Sequence, residues 1–327
     1  MGRTVACYRV GIHRWIISTV VRSLRRLRGS AALSEDRVAL PRDRHDNKTG
    51  NATIFALTTF RYYSLPKLIL KDPQMTTPRI AIITGATAGI GEAIARDLAS
   101  SGVSLVINGR RAEKLKNLQK ELGESRVTYV AGDAAAKETV VALFEESQKK
   151  FGREADIVVV NAGRGLKGSV VTSDTSQWEE LLRTNIIGAQ LLIREAATRM
   201  IAEIQKSGVG KRPLDIVVLG SIVGRHISPW SSAYGATKFA VNSMAEAVRR
   251  ELAPHGIRVT LIEPGIVKSE FQGVAEYDAK WFADMEEKSG PFLEPGDVAK
   301  AISFIVGMPW RVHVNDIVIR PTRQEYP

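Results

Sequence analysis

From residue 80 onward, short apolar runs alternate with longer stretches in which apolar positions recur every three or four residues. The short runs are Ile80–Ile83, Ser104–Ile107, Val127–Val130, Asp156–Val160, Asp215–Leu219, Arg258–Ile262 and Asp316–Ile319. Several are continuously apolar rather than alternating, the pattern of strands covered on both faces. Between them, Ile90–Ala99 places Ile90, Ala93, Ile94 and Leu98 on one helical stripe. Ala112–Leu122, Glu138–Phe151, Gln177–Ile204, Ser232–Leu252 and Pro295–Ile305 read as further helices. The alternation predicts an α/β fold: one doubly wound parallel sheet of about seven strands with helices on both faces.

Residues 1–74 break this pattern. No acid precedes Glu35, while seven arginines do, and Val10 to Leu27 forms a basic amphipathic stretch. The chain has 327 residues and a formal net charge of +11, from 46 Lys/Arg and 35 Asp/Glu. Residues 1–74 hold 14 of those basic and 5 of those acidic residues, which leaves 32 and 30 for residues 75–327. The basicity therefore belongs to the leader, and the charge balance gives no nucleic-acid footprint on the domain. Three readings of residues 1–74 stay open: an organelle transit peptide, a basic membrane-surface helix, or an extension with no role. The first would direct the chain to mitochondria; a translation start at Met75 would leave it cytoplasmic. The division expected is a leader over 1–74 and one domain over 75–327. The longest apolar run, Trp15 to Val21, falls far short of the roughly 20 residues of a spanning helix, so no stable membrane insertion is expected. Cys7 is the single cysteine, and the five histidines show no ligand spacing, so no intrachain disulfide and no protein-bound metal are expected.

The first strand runs into Thr84-Gly85-Ala86-Thr87-Ala88-Gly89-Ile90-Gly91 and then a helix. Glycines at this spacing clear side chains from a backbone that a pyrophosphate must approach, and the helix offers free N–H groups. This is a Rossmann-type arrangement, with Gly85, Thr87, Gly89, Ile90 and Gly91 as candidate cofactor contacts. After the second strand, Asn108-Gly109-Arg110-Arg111 holds no acid for a free ribose hydroxyl. Arg110 and Arg111 suit a 2′-phosphate instead, which favours NADP over NAD. Asp133, after the third strand, is placed to meet the adenine edge.

Tyr234-Gly235-Ala236-Thr237-Lys238 puts Tyr234 and Lys238 on one helix face, about 6 Å apart along the axis. A tyrosine is a poor base at a pKa of about 10. A lysine ~5 Å away, at an effective dielectric of ~20, contributes roughly 3 kcal/mol, about 2 pKa units, toward the phenolate. Tyr234 could then exchange a proton with an alcohol or carbonyl. Ser221, at the end of the fifth strand, could polarise the carbonyl oxygen.

These residues, in this order, resemble the short-chain dehydrogenase/reductase family over residues 79–327. TGATAGIG (84–91) matches its TGxxxGxG, and Asn161-Ala162-Gly163 its NAG motif, with Val160 in place of the usual preceding Asn. Asn185, Ser221, Tyr234 and Lys238 match its catalytic tetrad. Pro264-Gly265-Ile266-Val267-Lys268-Ser269 matches PGxVxT, with Ser for the final Thr. The resemblance implies that Val267 and Ser269 approach the nicotinamide, that Lys238 binds its ribose, and that Asn185 anchors a water in a proton relay. It implies cofactor contacts from Asn161, Ala162, Gly163, Tyr234, Pro264 and Gly265, a small-molecule alcohol or carbonyl substrate, and a homodimer or homotetramer. Gly109-Arg110-Arg111, Ile262-Glu263-Pro264-Gly265 and the ending Arg320-Pro321-Thr322-Arg323-Gln324 resemble the NADP-dependent serine and 3-hydroxy acid dehydrogenase branch. The branch makes a small 3-hydroxy acid one candidate within the alcohol or carbonyl class; Arg164 or Arg225 could meet its carboxylate, with a solvent-facing or structural role the equal alternative for each. A reductase of another carbonyl class (ketone, diketone or 3-ketoacyl) and a non-catalytic NADP sensor are the alternatives. Phe271–Pro291 is expected to be a substrate lid.

Overall fold

The computed structural model describes residues 78–326, Lys211 aside; the readings made on residues 1–74 and the start at Met75 lie outside them. In chain order the domain runs β1 (Ile80–Ile83), α1 (Gly89–Ser100), β2 (Ser104–Gly109), α2 (Ala112–Leu122), β3 (Val127–Ala131), α3 (Lys137–Phe151) and β4 (Ile157–Val160). It continues with α4 (Trp178–Leu182), α5 (Gly188–Ser207), β5 (Leu214–Leu219), α6 (Ser232–Leu252) and β6 (Ile257–Pro264). It ends with α7 (Phe271–Val274), α8 (Ala279–Ser289), α9 (Pro295–Val306) and β7 (Asp316–Ile319). All seven strands lie parallel in one sheet, in the order β3-β2-β1-β4-β5-β6-β7. The fold class expected from the periodicity is the one observed.

Parallel strands need crossovers, and here helices cover both faces. Ala81 and Ile83 pack with Ile94 and Leu98 of α1, Leu115 of α2 and Ile302 of α9. Ile80 and Ile82 pack on the other side with Phe144 of α3, Leu192 of α5 and Val241 of α6. A strand buried on both faces therefore reads as an unbroken apolar run.

Two segments differ from the sequence expectation. The single helix expected over Gln177–Ile204 is divided into a 3₁₀ turn (Thr175–Gln177), α4, a π turn (Arg183–Ile187) and α5. A π turn inserts one residue into the helical ladder, which the spacing of apolar side chains does not reveal. It carries Asn185. The expected lid loop Phe271–Pro291 contains α7 and α8, and the Asp278 carboxylate caps α8 by accepting from Trp281 N–H at 2.7 Å.

The amino ends of the strands hold a buried ion cluster opposite the candidate site. Asp215, 1% exposed, meets Arg79 at 2.6 Å and Arg258 at 2.7 Å, themselves 7% and 4% exposed. Arg258 is the cross-strand neighbour of Asp215 on β6. Both guanidiniums also donate to carbonyls, Arg79 to Val306 at 2.7 Å and Arg258 to Met308 at 2.8 Å. Buried charges persist only when paired and hydrogen-bonded in this way.

Candidate active site

The carboxyl ends of the strands open into a cleft of about 1230 Å³, at the point where strand order reverses between β1 and β4. The turn after β1 needs its glycines. Gly85 and Gly89 have φ of +69° and +55°, where a Cβ is strained. A Cβ on Gly91 would overlap the Gly85 carbonyl and come within 2.5 Å of Asn161 Nδ2. Asn161 braces the same turn, donating to Thr84 O at 2.8 Å. Ala88, at the N-cap of α1, supplies no side-chain cap, so the N–H groups of the first turn have no side-chain acceptor from it.

At the end of β2, Arg111 Nη2 donates to Thr87 O at 3.0 Å and Thr87 Oγ1 at 2.9 Å. Its Nη1 meets Glu270 at 2.7 Å, and Lys114 meets the other oxygen of Glu270 at 2.9 Å. Arg110 is 72% exposed and pairs with Glu180 at 3.3 Å. Asp133 accepts from Ala135 N–H at 3.0 Å and pairs with Arg183. Partial burial would push its carboxyl up; the Ala135 N–H and the Arg183 guanidinium outweigh that and hold it below its ordinary value.

Ser221, Tyr234 and Lys238 all line the cleft and are buried. Lys238 Nζ lies 5.9 Å from the centre of the Tyr234 ring and donates to Leu219 O at 2.9 Å. The expected lowering of the Tyr234 pKa does not occur in this structure. Burial pushes Tyr234 well above its ordinary value, Tyr277 adds to the rise, and a hydrogen bond with Ser221 offsets only part of it. Burial also pushes Lys238 down to about 8. The Coulombic argument assumed a fixed ammonium in a partly wet site, and desolvation acts on both groups more strongly.

Asn185 is 3% exposed and does not line the cleft. Its amide oxygen accepts from Arg164 N–H at 2.8 Å, and its Nδ2 donates to Arg164 O at 2.9 Å and Thr237 Oγ1 at 3.0 Å. It stands directly behind Gly163. A Cβ there would lie 3.4 Å from Asn185 Oδ1 and 3.9 Å from Lys238 Nζ.

The segment after β6 closes the far wall. Pro264, Gly265, Val267 and Ser269 line the cleft, as do Gly85, Thr87, Gly89, Ile90, Gly91, Ala162 and Gly163. Ile266 N–H donates to Gln324 Oε1 at 3.1 Å, and a Cβ on Gly265 would overlap that same oxygen. Ser269 Oγ accepts from Phe271 N–H at 3.2 Å and so starts the lid helix α7.

The two arginines that could meet a substrate carboxylate are already paired. Arg164 bonds Gln177 and Glu180, and Arg225 bonds the fully buried Glu263 outside the cleft. Sequence reading missed Lys114, Glu270, Thr237 and Gln324. Lys114 stands three residues after Arg111 at the start of one helix, a visible signal. Glu270, Thr237 and Gln324 meet their respective partners, Arg111, Asn185 and Ile266, only through the tertiary fold.

A family model described as short chain dehydrogenase matches residues 79–279. An uncharacterized oxidoreductase of Staphylococcus aureus is 34% identical over 245 residues, 75% of this chain and 98% of that protein. The closed form of a serine dehydrogenase complexed with NADP+ superposes with a TM-score of 0.68 at 28% identity, over 76% of this chain and 96% of that one. A 3-ketoacyl-(acyl-carrier-protein) reductase from Brucella melitensis, complexed with NADH, gives 0.67 at 27% identity, over 75% and 98%. Among the described residues no helix is long and apolar enough to cross a membrane. With its seven-stranded parallel sheet and glycine-lined cleft, the chain belongs to the short-chain dehydrogenase family of oxidoreductases.

Proposed function

We propose that the protein is an NADP-dependent oxidoreductase acting on a secondary alcohol or carbonyl compound. The observation that carries this is the buried Tyr234 side chain, sharing the cleft that the glycine turn opens with Ser221 and with Lys238 one helical turn away. The cleft fits a nicotinamide dinucleotide: three glycines let the turn pack closely against Asn161 and Ser269 along the lining, and the first turn of α1 presents N–H groups. Gly85, Thr87, Gly89, Ile90 and Gly91 would hold the pyrophosphate, Asp133 the adenine edge, and Val267 and Ser269 the nicotinamide end. When bound, the cofactor supplies or takes the hydride.

The chain's own residues handle the oxygen and its proton. Ser221 holds the substrate oxygen. In reduction Tyr234 gives its proton to that oxygen as the alcohol forms; in oxidation it takes the proton back. Lys238 would hold the cofactor ribose, and it places positive charge near the phenol. Asn185 fixes the wall at Arg164 and Gly163 behind Lys238. A homo-oligomer and cytoplasmic location for a chain starting at Met75 belong to the same reading.

Arg111 is the residue that favours NADP. It is held against the glycine turn by Thr87, and Lys114 lies beside it. Charge-assisted bonds to a phosphate are worth about 1.5–3 kcal/mol, roughly 10–100-fold. Arg111→Ala should lower the kcat/KM preference for NADPH over NADH by that factor, measured by initial rates with each cofactor. An unchanged preference would remove Arg111 from the phosphate site.

The pH dependence follows from the state of Tyr234. Its raised pKa keeps it protonated through neutral pH, the form that reduction needs. Reduction should therefore show no loss of kcat/KM between about pH 6 and 7, below the value of about 8 at which Lys238 loses its charge, while oxidation should climb over that range as the phenolate becomes accessible. Oxidation falling as pH rises would contradict this assignment.

A further inference from the structure

We propose that the substrate half of the cleft takes an uncharged carbonyl compound carrying an aromatic or extended apolar group, in preference to a small oxo or hydroxy acid. This rests on the oxidoreductase reading above and names its substrate class.

A series of aromatic rings leads from the reacting hydroxyl to the rim. The Tyr234 ring meets Phe271 edge-on at 5.7 Å, Phe271 meets Tyr277 at 6.4 Å, and Tyr277 meets Trp281 at 5.7 Å. Across the mouth, Trp230 meets Tyr326 at 6.1 Å. All six rings line the same cleft. Trp230 is 68% exposed and Trp281 49% exposed. Large aromatic surface left in water around a cleft marks a place where apolar surface is covered by a ligand, and continuity with Tyr234 makes the substrate that ligand.

The charges in the cleft give a carboxylate no matching site. Arg164 is bound to Glu180 and Lys167 to Glu276, and Arg323 donates to the carbonyls of Lys288 and Gly290. Lys288 and Arg323 share the cleft lining with Asp278, Asp284 and Glu325, Asp284 being paired with Lys280 and Asp278 capping α8, so an incoming carboxylate meets acids as well as bases there. A carboxylate entering it would lose water against aromatic faces without a dedicated guanidinium in return. A phenyl group would gain by the same transfer.

The test uses the full chain, NADPH, and two methyl ketones that differ only in their far end. Benzylacetone carries a phenyl ring where levulinate carries a carboxylate. We expect kcat/KM for benzylacetone to exceed that for levulinate on the order of 100-fold. Trp281→Ala and Trp230→Ala should each shrink that ratio about tenfold, mainly by raising KM for benzylacetone. Both side chains are exposed, so neither change threatens the fold. Levulinate preferred over benzylacetone, or a ratio unmoved by both substitutions, would overturn the substrate class and leave the oxidoreductase reading standing. No NADPH consumption with any carbonyl would overturn both.

Discussion

Tyr234→Phe should lower kcat for carbonyl reduction by about 10³-fold or more while leaving NADPH affinity within about twofold. The substitution removes one oxygen from a ring that stays packed against Phe271, in a site where that oxygen is the proton donor proposed for the substrate. Removing a positioned general acid costs about 10²–10⁴-fold by itself. Tyr234 is buried, so water does not readily replace the lost donor, which places the expected effect in the upper part of that range. Affinity for the cofactor is proposed to rest mainly on the glycine turn, Arg111, Asp133 and Lys238, whose side chains the change leaves in place. Steady-state rates and fluorescence titration with NADPH separate the two quantities. A mutant that kept a tenth of its activity would show that the proton comes from elsewhere.

Asp215→Ala should lower unfolding free energy by about 3–5 kcal/mol. Asp215 is the one carboxylate that both Arg79 and Arg258 contact in the buried cluster. Without it, two guanidiniums remain buried with only carbonyl partners. A domain of this kind is stable by about 5–15 kcal/mol, so such a loss brings it close to unfolding at physiological temperature. Urea titration of Asp215→Ala and of Asp215→Asn, which keeps the shape and some hydrogen bonds, checks the origin of the effect. The asparagine variant should lie between wild type and alanine. A loss under about 1 kcal/mol for alanine would mean that the cluster is hydrated or rearranges.

The two ends of the sheet differed in how far the sequence revealed them. All seven strands were legible, because burial on both faces leaves an unbroken apolar run such as Ile80–Ile83. The glycine turn was legible because close backbone approach excludes side chains at Gly85, Gly89 and Gly91. The Arg79–Asp215–Arg258 cluster was not. Its members come from the start of β1, β5 and β6, and each looks like an ordinary polar residue at a strand end. The π turn at Asn185 was hidden for a different reason: one inserted residue leaves the apolar stripe nearly intact. Chain order and spacing gave Ser221, Tyr234 and Lys238 their common place in the cleft. Spacing could not report how dry that place is, and dryness reverses the expected shift of Tyr234 and lowers Lys238 to about 8. The choice between a carboxylate-binding and a structural role for Arg164 and Arg225 was equally hidden, since the acids that pair with them lie on other elements.

The central claim is that hydride passes between NADP and a carbonyl carbon while Tyr234 handles the proton. Its most direct measurement is label transfer. The protein is incubated with NADPH deuterated at the transferable position of nicotinamide C4 and with a carbonyl compound, and the product is analysed by mass spectrometry. The account predicts one deuterium on the carbinol carbon of the product alcohol, formed in step with NADP+ and lost in Tyr234→Phe. NADPH bound in the cleft with no labelled alcohol from any carbonyl offered would contradict it and favour a protein that senses the cofactor without chemistry.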